Sequence, residues 1–88
     1  MPFTVKEIQP TPNPNAAKFV LDREISPHPL SFLSPDQGSD HALANQLFSI
    51  KGVKSLLFLA DFVTVNKENS GKWAQIAQKV REILEKSP

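Results

Sequence analysis

Apolar and polar positions alternate over residues 3–9, with Phe3, Val5 and Glu7 on one side and Thr4, Lys6 and Ile8 on the other, which is the period of a strand. The stretch is rich in β-favouring residues and is expected as an edge-like strand. Alternation returns over 16–21, where Ala17, Phe19 and Leu21 face one way and Lys18 and Val20 the other. This second strand is the expected hairpin partner of the first. Between them Pro10, Pro12 and Pro14 remove backbone donors, which forbids a helix or a central strand and leaves an extended loop. Residues 53–59 are apolar apart from Lys54 and Ser55, as expected of a strand near the centre of a sheet. Ala60-Asp61 then leads to the β-branched Val63, Thr64 and Val65, so 53–67 predicts a second hairpin.

The period changes in two places. Leu43, Leu47, Phe48 and Ile50 make one apolar stripe, predicting a helix over 40–50 with Ser39 as its N-cap, Asp40 at the positive end of its dipole and Gly52 as its stop. Trp73, Ile76, Ala77, Val80, Ile83 and Leu84 make a second and longer stripe, with charged and amide residues opposite. Residues 22–38 contain Pro27, Pro29, Pro35 and Gly38 and are expected as a long loop with one brief extended piece near Leu30, Phe32 and Leu33. The order ββαββα implies an α+β fold: a two-layer sandwich whose mainly antiparallel four-stranded sheet carries two helices on one face. A chain of 88 residues has room for one core, so 1–88 is expected to be a single domain. Phe58, Phe62 and Trp73 fall at core spacing, and truncating Trp73 to alanine is expected to cost roughly 3–5 kcal/mol.

Composition narrows the chemistry. With 40% hydrophobic and 22% charged residues the chain belongs among folded proteins. A net charge of +1 is too small to imply nucleic acid as a partner. The charge is nevertheless uneven: residues 1–50 carry three basic and five acidic groups, and residues 51–88 carry seven and four. That asymmetry reads as a weak dipole of solvated surface. The absence of cysteine excludes disulfides and removes the thiolates through which zinc or an iron-sulfur cluster would be held, so no cofactor is expected. The opening residues lack the apolar core of a signal peptide, and no apolar run reaches the length of a membrane span. A cytoplasmic location without membrane contact follows by default.

Catalytic apparatus is equally absent from the pattern. The serines sit in no nucleophile elbow, Gly38, Gly52 and Gly71 are too scattered to cradle phosphate, and Asp61 and Glu68 show no paired spacing. Asp61 is expected to stabilise the second hairpin's turn. The chain is therefore expected not to be an enzyme. One alternative is a small metal-binding protein or enzyme in which His28 and His41 join carboxylates such as Asp36 or Asp40. Another is a structural homo-oligomer that pairs through the strand edge at 3–9. The candidate binding residues are Thr11, Pro12, Asn13, Pro14 and Asn15, with Lys18 beside them. Three rigid prolines lower the ordering cost of presenting these groups to a partner. The same Thr and Asn side chains also cap their own turns, and a lone strand lysine is ordinary surface.

The loop Gln9-Pro10-Thr11-Pro12-Asn13-Pro14-Asn15-Ala16-Ala17-Lys18-Phe19 resembles the opening signature of the N-terminal domain of Nfu-type (NifU-like) iron-sulfur scaffold proteins. Ala42-Leu43-Ala44, Leu47-Phe48, Ile50-Lys51-Gly52-Val53, Asp61-Phe62-Val63-Thr64-Val65-Asn66-Lys67 and Trp73 continue the resemblance over nearly the whole chain. The family pattern has Ser-Pro before the first helix where this chain has Asp40-His41-Ala42. In that family the cluster-holding CxxC motif lies in a separate C-terminal domain, and the present sequence ends before it, as a free-standing domain would. The resemblance therefore implies a non-catalytic accessory that binds a protein partner of the iron-sulfur assembly or delivery pathway.

Overall fold

Both hairpins form where alternation and turn residues predict them. A computed structural model describes residues 3–86; the two outermost residues at each end of the expected 1–88 domain lie outside the described residues. Strands β1 (Val5–Pro10) and β2 (Ala16–Leu21) pair antiparallel, as do β4 (Val53–Ala60) and β5 (Phe62–Lys67). Antiparallel pairing of β2 with β5 joins the hairpins. The helices are α1 (Ala42–Phe48) and α2 (Trp73–Lys86). The fold is α+β, as expected.

Among the described residues the sheet has five strands, ordered β1-β2-β5-β4-β3, and not the four expected. The additional one is β3 (Ser26–Phe32), antiparallel to β4 in the stretch expected to be mostly loop. Pro27 and Pro29 are compatible with it for two reasons. An edge strand pairs on one side alone, and the register slips between the pairs Ser26↔Ala60 and Leu30↔Phe58, which leaves the prolines out of the ladder. A 3-10 turn, Pro35–Gly38, follows.

Three local expectations are corrected. In β1 the register shifts between Val5↔Leu21 and Glu7↔Val20, a bulge that puts Ile8 opposite Phe19 on the helix side, although strict alternation set it opposite Val5. Helix α1 starts at Ala42 with His41 as N-cap, later than expected, because Ser39 is used to close the 3-10 turn through its bonds to the Asp36 carbonyl. That helix ends at Phe48, and Gly52 lies beyond it in the turn to β4 at φ 100°. A Cβ there would stand 3.1 Å from Ile76 Cδ1, so the position favours glycine on both counts.

The core lies between the sheet and the two helices. Phe19, Leu21, Leu56, Phe58, Val63 and Val65 from the strands meet Ala44, Leu47, Ile76, Val80 and Leu84 from the helices, each at most 2% exposed. Trp73 and Phe62 were expected inside and are corrected. Trp73 is half-buried at the rim, its ring 6.5 Å from Phe19. Phe62 pairs with Val20 and Leu59, which by alternation is the sheet face opposite the helices, and there it is half-buried.

At the far end of the sheet from the proline loop, Asp22 accepts the Thr4 N–H at 3.0 Å and pairs with Arg23 at 3.3 Å. The Thr4 bond first, and then Arg23, hold its carboxyl below the ordinary value of 3.8. A depressed folded-state pKa favours the native state above the unfolded value, and that support is lost as pH falls through the lowered one. An NMR titration of the Asp22 side chain should give a midpoint below 3.8. Phe19→Ala should cost about 3–5 kcal/mol, a large share of the roughly 5–15 kcal/mol total of an ordinary domain. Trp73→Ala, at the rim, should cost less. Urea unfolding checks the order, and a larger loss for Trp73→Ala would refute the placement of these two rings.

Candidate interaction surface

The loop between β1 and β2 is built by its own polar side chains. Thr11 Oγ1 accepts the Asn13 N–H at 3.1 Å and lies 2.9 and 3.0 Å from the carbonyls of Asn13 and Ala16, its single proton serving one of them at a time. Asn13 Oδ1 accepts the Asn15 N–H at 2.9 Å, and the Ala16 N–H closes the turn on the Asn13 carbonyl at 3.0 Å. These are the turn-capping bonds that Thr and Asn supply to a chain deprived of donors by proline.

Distant residues then pin the loop from two sides. Lys67 Nζ donates to Asn15 Oδ1 at 2.9 Å, the Lys67 N–H donates to the Asn15 carbonyl at 2.7 Å, and the Asn15 amide donates to Asn69 Oδ1. On the other side Trp73 Nε1 donates to the Pro14 carbonyl at 3.0 Å. Lys67, Asn69 and Trp73 were not singled out as loop partners from sequence. Their bonds span 52, 54 and 59 residues, and no local spacing signals such contacts. The result is a preorganised loop, which lowers the entropy lost on binding.

The loop has a dry side and a wet side. Pro10, Pro14, Trp73 and Ala77 line an apolar groove of about 300 Å³ that reaches Ile8 on β1. Asn13, Asn15, Lys54, Lys67 and Asn69 border a polar cleft of about 380 Å³. A further cleft, of about 290 Å³, lies between the turn before β4 and the start of α2. Thus the structure brings Thr11, Asn13, Pro14 and Asn15 together, with Pro12 exposed among them. Lys18 belongs to a different surface: it lies on the open face of the sheet, its Nζ 4.1 Å from the centre of the Phe62 ring, a cation–π contact.

The histidines are placed separately from this loop and serve local structure. His41 Nδ1 accepts the Ala44 N–H at 3.3 Å, and its ring packs edge-on against Phe32 and Phe58 at 5.4 and 5.3 Å. His28 is exposed on β3, its backbone tied to the Ser26 hydroxyl. Among the described residues no three His, Asp or Glu side chains gather as a metal site, so the alternative built on His28, His41, Asp36 and Asp40 gains no geometry. Asp61 does lie in the hairpin turn, where its carbonyl accepts the Leu21 N–H at 2.7 Å. Among the described residues no helix is long and apolar enough to cross a membrane.

Comparison with known proteins agrees with this fold. The family described as scaffold protein Nfu/NifU N terminal matches residues 5–87. The mitochondrial NFU1 iron-sulfur cluster scaffold homolog of Homo sapiens is 44% identical over 64 residues, covering 72% of this chain and 25% of that protein. Its counterpart in Drosophila grimshawi is 32% identical over 80 residues, covering 89% and 27%. The chain therefore spans about a quarter of the length of these relatives, both of which are mitochondrial by name whereas a cytoplasmic location was expected for this chain. Among solved structures, the NifU-like protein of Saccharomyces cerevisiae superposes with a TM-score of 0.80 at 27% identity, over 94% of this chain and 77% of that one. Protein SAV1430 of Staphylococcus aureus does so with a TM-score of 0.78 at 30% identity, over 93% and 99%.

Removing the Thr11 hydroxyl should loosen the loop without touching the core. Thr11→Val is expected to cost about 1 kcal/mol, the net value of an ordinary hydrogen bond, and to speed hydrogen exchange at the Asn13 amide. Thr11→Ser should leave both near wild type. Equal exchange rates in the two variants would show that the hydroxyl does not hold the loop.

Proposed function

This chain belongs to the scaffold protein Nfu/NifU N-terminal family, and on that footing we propose that it is a non-catalytic interaction domain serving iron-sulfur cluster assembly or delivery. The observation that carries the reading is the family match over residues 5–87 in a sequence without cysteine. These 88 residues supply no thiolate for a cluster, and the role proposed for them, as one folded domain over 1–88, is to bind a partner protein. Part of the contact is the rigid loop of Thr11, Pro12, Asn13, Pro14 and Asn15. Its internal bonds leave shape and proline surface to present, with little entropy left to lose. Lys18 contributes from the open sheet face beside it.

A second reading, self-association, is favoured by one observation: β1 is an edge strand and the opposite edge, β3, carries Pro27 and Pro29 as protection. β1 has fewer such guards, a bulge and the terminal Pro10. Light scattering over a range of concentrations separates the two readings, since pairing through β1 gives a mass that rises with concentration.

The leading reading is tested by tag-based capture from the native cell with identification of what is retained. Cluster scaffolds, carriers or iron-sulfur client proteins should be enriched, and Pro12→Ala with Pro14→Ala should weaken that enrichment. An interactome lacking every such protein would refute the function.

A further inference from the structure

Half of the basic groups of this chain line two adjoining clefts at one end of the sheet. Lys51, Lys72 and Lys79 border the cleft between the turn before β4 and the start of α2. Lys54 and Lys67 border the neighbouring one beside Asn13 and Asn15. Glu68 borders both and is the one carboxylate among the described residues lining them. Five lysines against one carboxylate leave five basic and eight acidic groups for the rest of a chain whose net charge is +1. A near-neutral total therefore conceals a strongly basic pole and a net acidic remainder.

Among the described residues the lysines of this pole have no carboxylate partner. Among the described residues the ion pairs join Arg23 to Asp22 and Arg81 to Glu85. Lys67 Nζ bonds neutral oxygens, those of the Asn15 side chain and the Glu68 carbonyl. Like charges gathered without partners repel one another and set up a field that draws anionic groups to the clefts.

We propose that this pole is the docking site for an acidic segment of a partner protein, an extended stretch rich in Asp and Glu. The proposal rests on the interaction function above and names the chemistry of the partner. The molecule measures 32 × 27 × 22 Å, and about eight extended residues, at about 3.3 Å each, cross it. Lysine ammonium groups meet the carboxylates, and the side-chain amides of Asn13, Asn66 and Asn69, which line the same cleft, are placed to pair with peptide groups. Nucleic acid fits less well. A long polyanion running past the pole meets the acidic remainder, and none of Phe58, Phe62 and Trp73 lines the two clefts: Phe58 is in the core, Phe62 lies under Lys18 on the open sheet face, and Trp73 lines the apolar groove beside Pro14.

The test uses a fluorescent peptide of about eight residues alternating Asp and Ser, its Asn-Ser counterpart, and an oligodeoxynucleotide of equal charge. The Asp peptide should bind the full chain, the Asn peptide should not, and amide shifts should cluster at Lys51, Gly52, Lys67, Gly71 and Lys72. Binding should weaken steeply as salt rises past about 0.1 M, where screening reaches about 10 Å. Combining Lys51→Glu, Lys72→Glu and Lys79→Glu should lower affinity at least about tenfold while leaving the melting temperature equal or higher, because repulsion is relieved. If the reversed charges unfold the chain, the same three positions as Gln should show the loss of binding. Shifts located elsewhere, equal binding of the Asn peptide, unchanged affinity in the variants, or tighter binding of the oligonucleotide would each overturn the proposal. Retention of an iron-sulfur assembly protein by the triple variant as well as by wild type would sink this site and spare the function. The converse, no such protein captured while the Asp peptide still maps to the lysines, would sink the function and spare the site.

Discussion

Where β2 lies against β5, Ala17 faces Val65 and Phe19 faces Val63, and two hairpins that each form locally become one sheet with a continuous apolar face. An isolated hairpin is marginal in water, and stability appears with three or more strands and a covered face. The pairing also positions the candidate surface. The same ladder extends past the strand ends through the bond from the Lys67 N–H to the Asn15 carbonyl, which sets the proline loop of one hairpin against the outgoing loop of the other.

From that juxtaposition come the features of the candidate surface. Lys67 reaches Asn15, Asn15 reaches Asn69, and Trp73, the first residue of α2, reaches back to Pro14. One loop is thus held by the strand, the connection and the helix that follow β4. The core is one-sided in consequence: the helices cover Val63 and Val65, while Val20, Leu57, Leu59 and Phe62 stay half-buried on the other face. A partly apolar open face is common in antiparallel sheets, and here Lys18 covers some of it by lying over Phe62.

Much of this was legible in the sequence because it is local. Periods of two and of 3.6 fixed β2 and β5 to the residue and placed α2, since each of those segments has one buried face. What escaped depends on tertiary context. Pro27 and Pro29 argue against a strand in general but not against an edge strand whose register slips around them. The bulge that turns Ile8 to the helix side adds one residue without a composition signal. His41 took the cap expected of Ser39 because the preceding 3-10 turn had already used that serine. Trp73 had core spacing, yet its position at the first turn of α2 sets it at the rim, where its N–H serves the loop. The loop's specific residues were visible, whereas the partners that rigidify it lie more than fifty positions away.

Charge shows the same division between what a sequence counts and what a fold concentrates. The excess of basic groups after residue 50 is mild as a linear statistic and was read as solvated surface. Folding brings Lys51 in the turn before β4, Lys54 early in β4, Lys67 at the end of β5, Lys72 just before α2 and Lys79 in the first half of α2 to one end of the sheet, with Glu68 the one carboxylate among the described residues lining the clefts there. Neutralising that cluster from within would need few changes, since an acidic residue at an exposed position such as Ser70 or Gln75 would sit among the lysines at little cost to packing. The sequence instead places its remaining carboxylates elsewhere, and the pole keeps its field at some expense in self-repulsion. A surface that retains unpaired like charges beside a preorganised loop has both a long-range attraction and a rigid short-range shape to offer. Those are the two properties that respectively speed an encounter and make it selective.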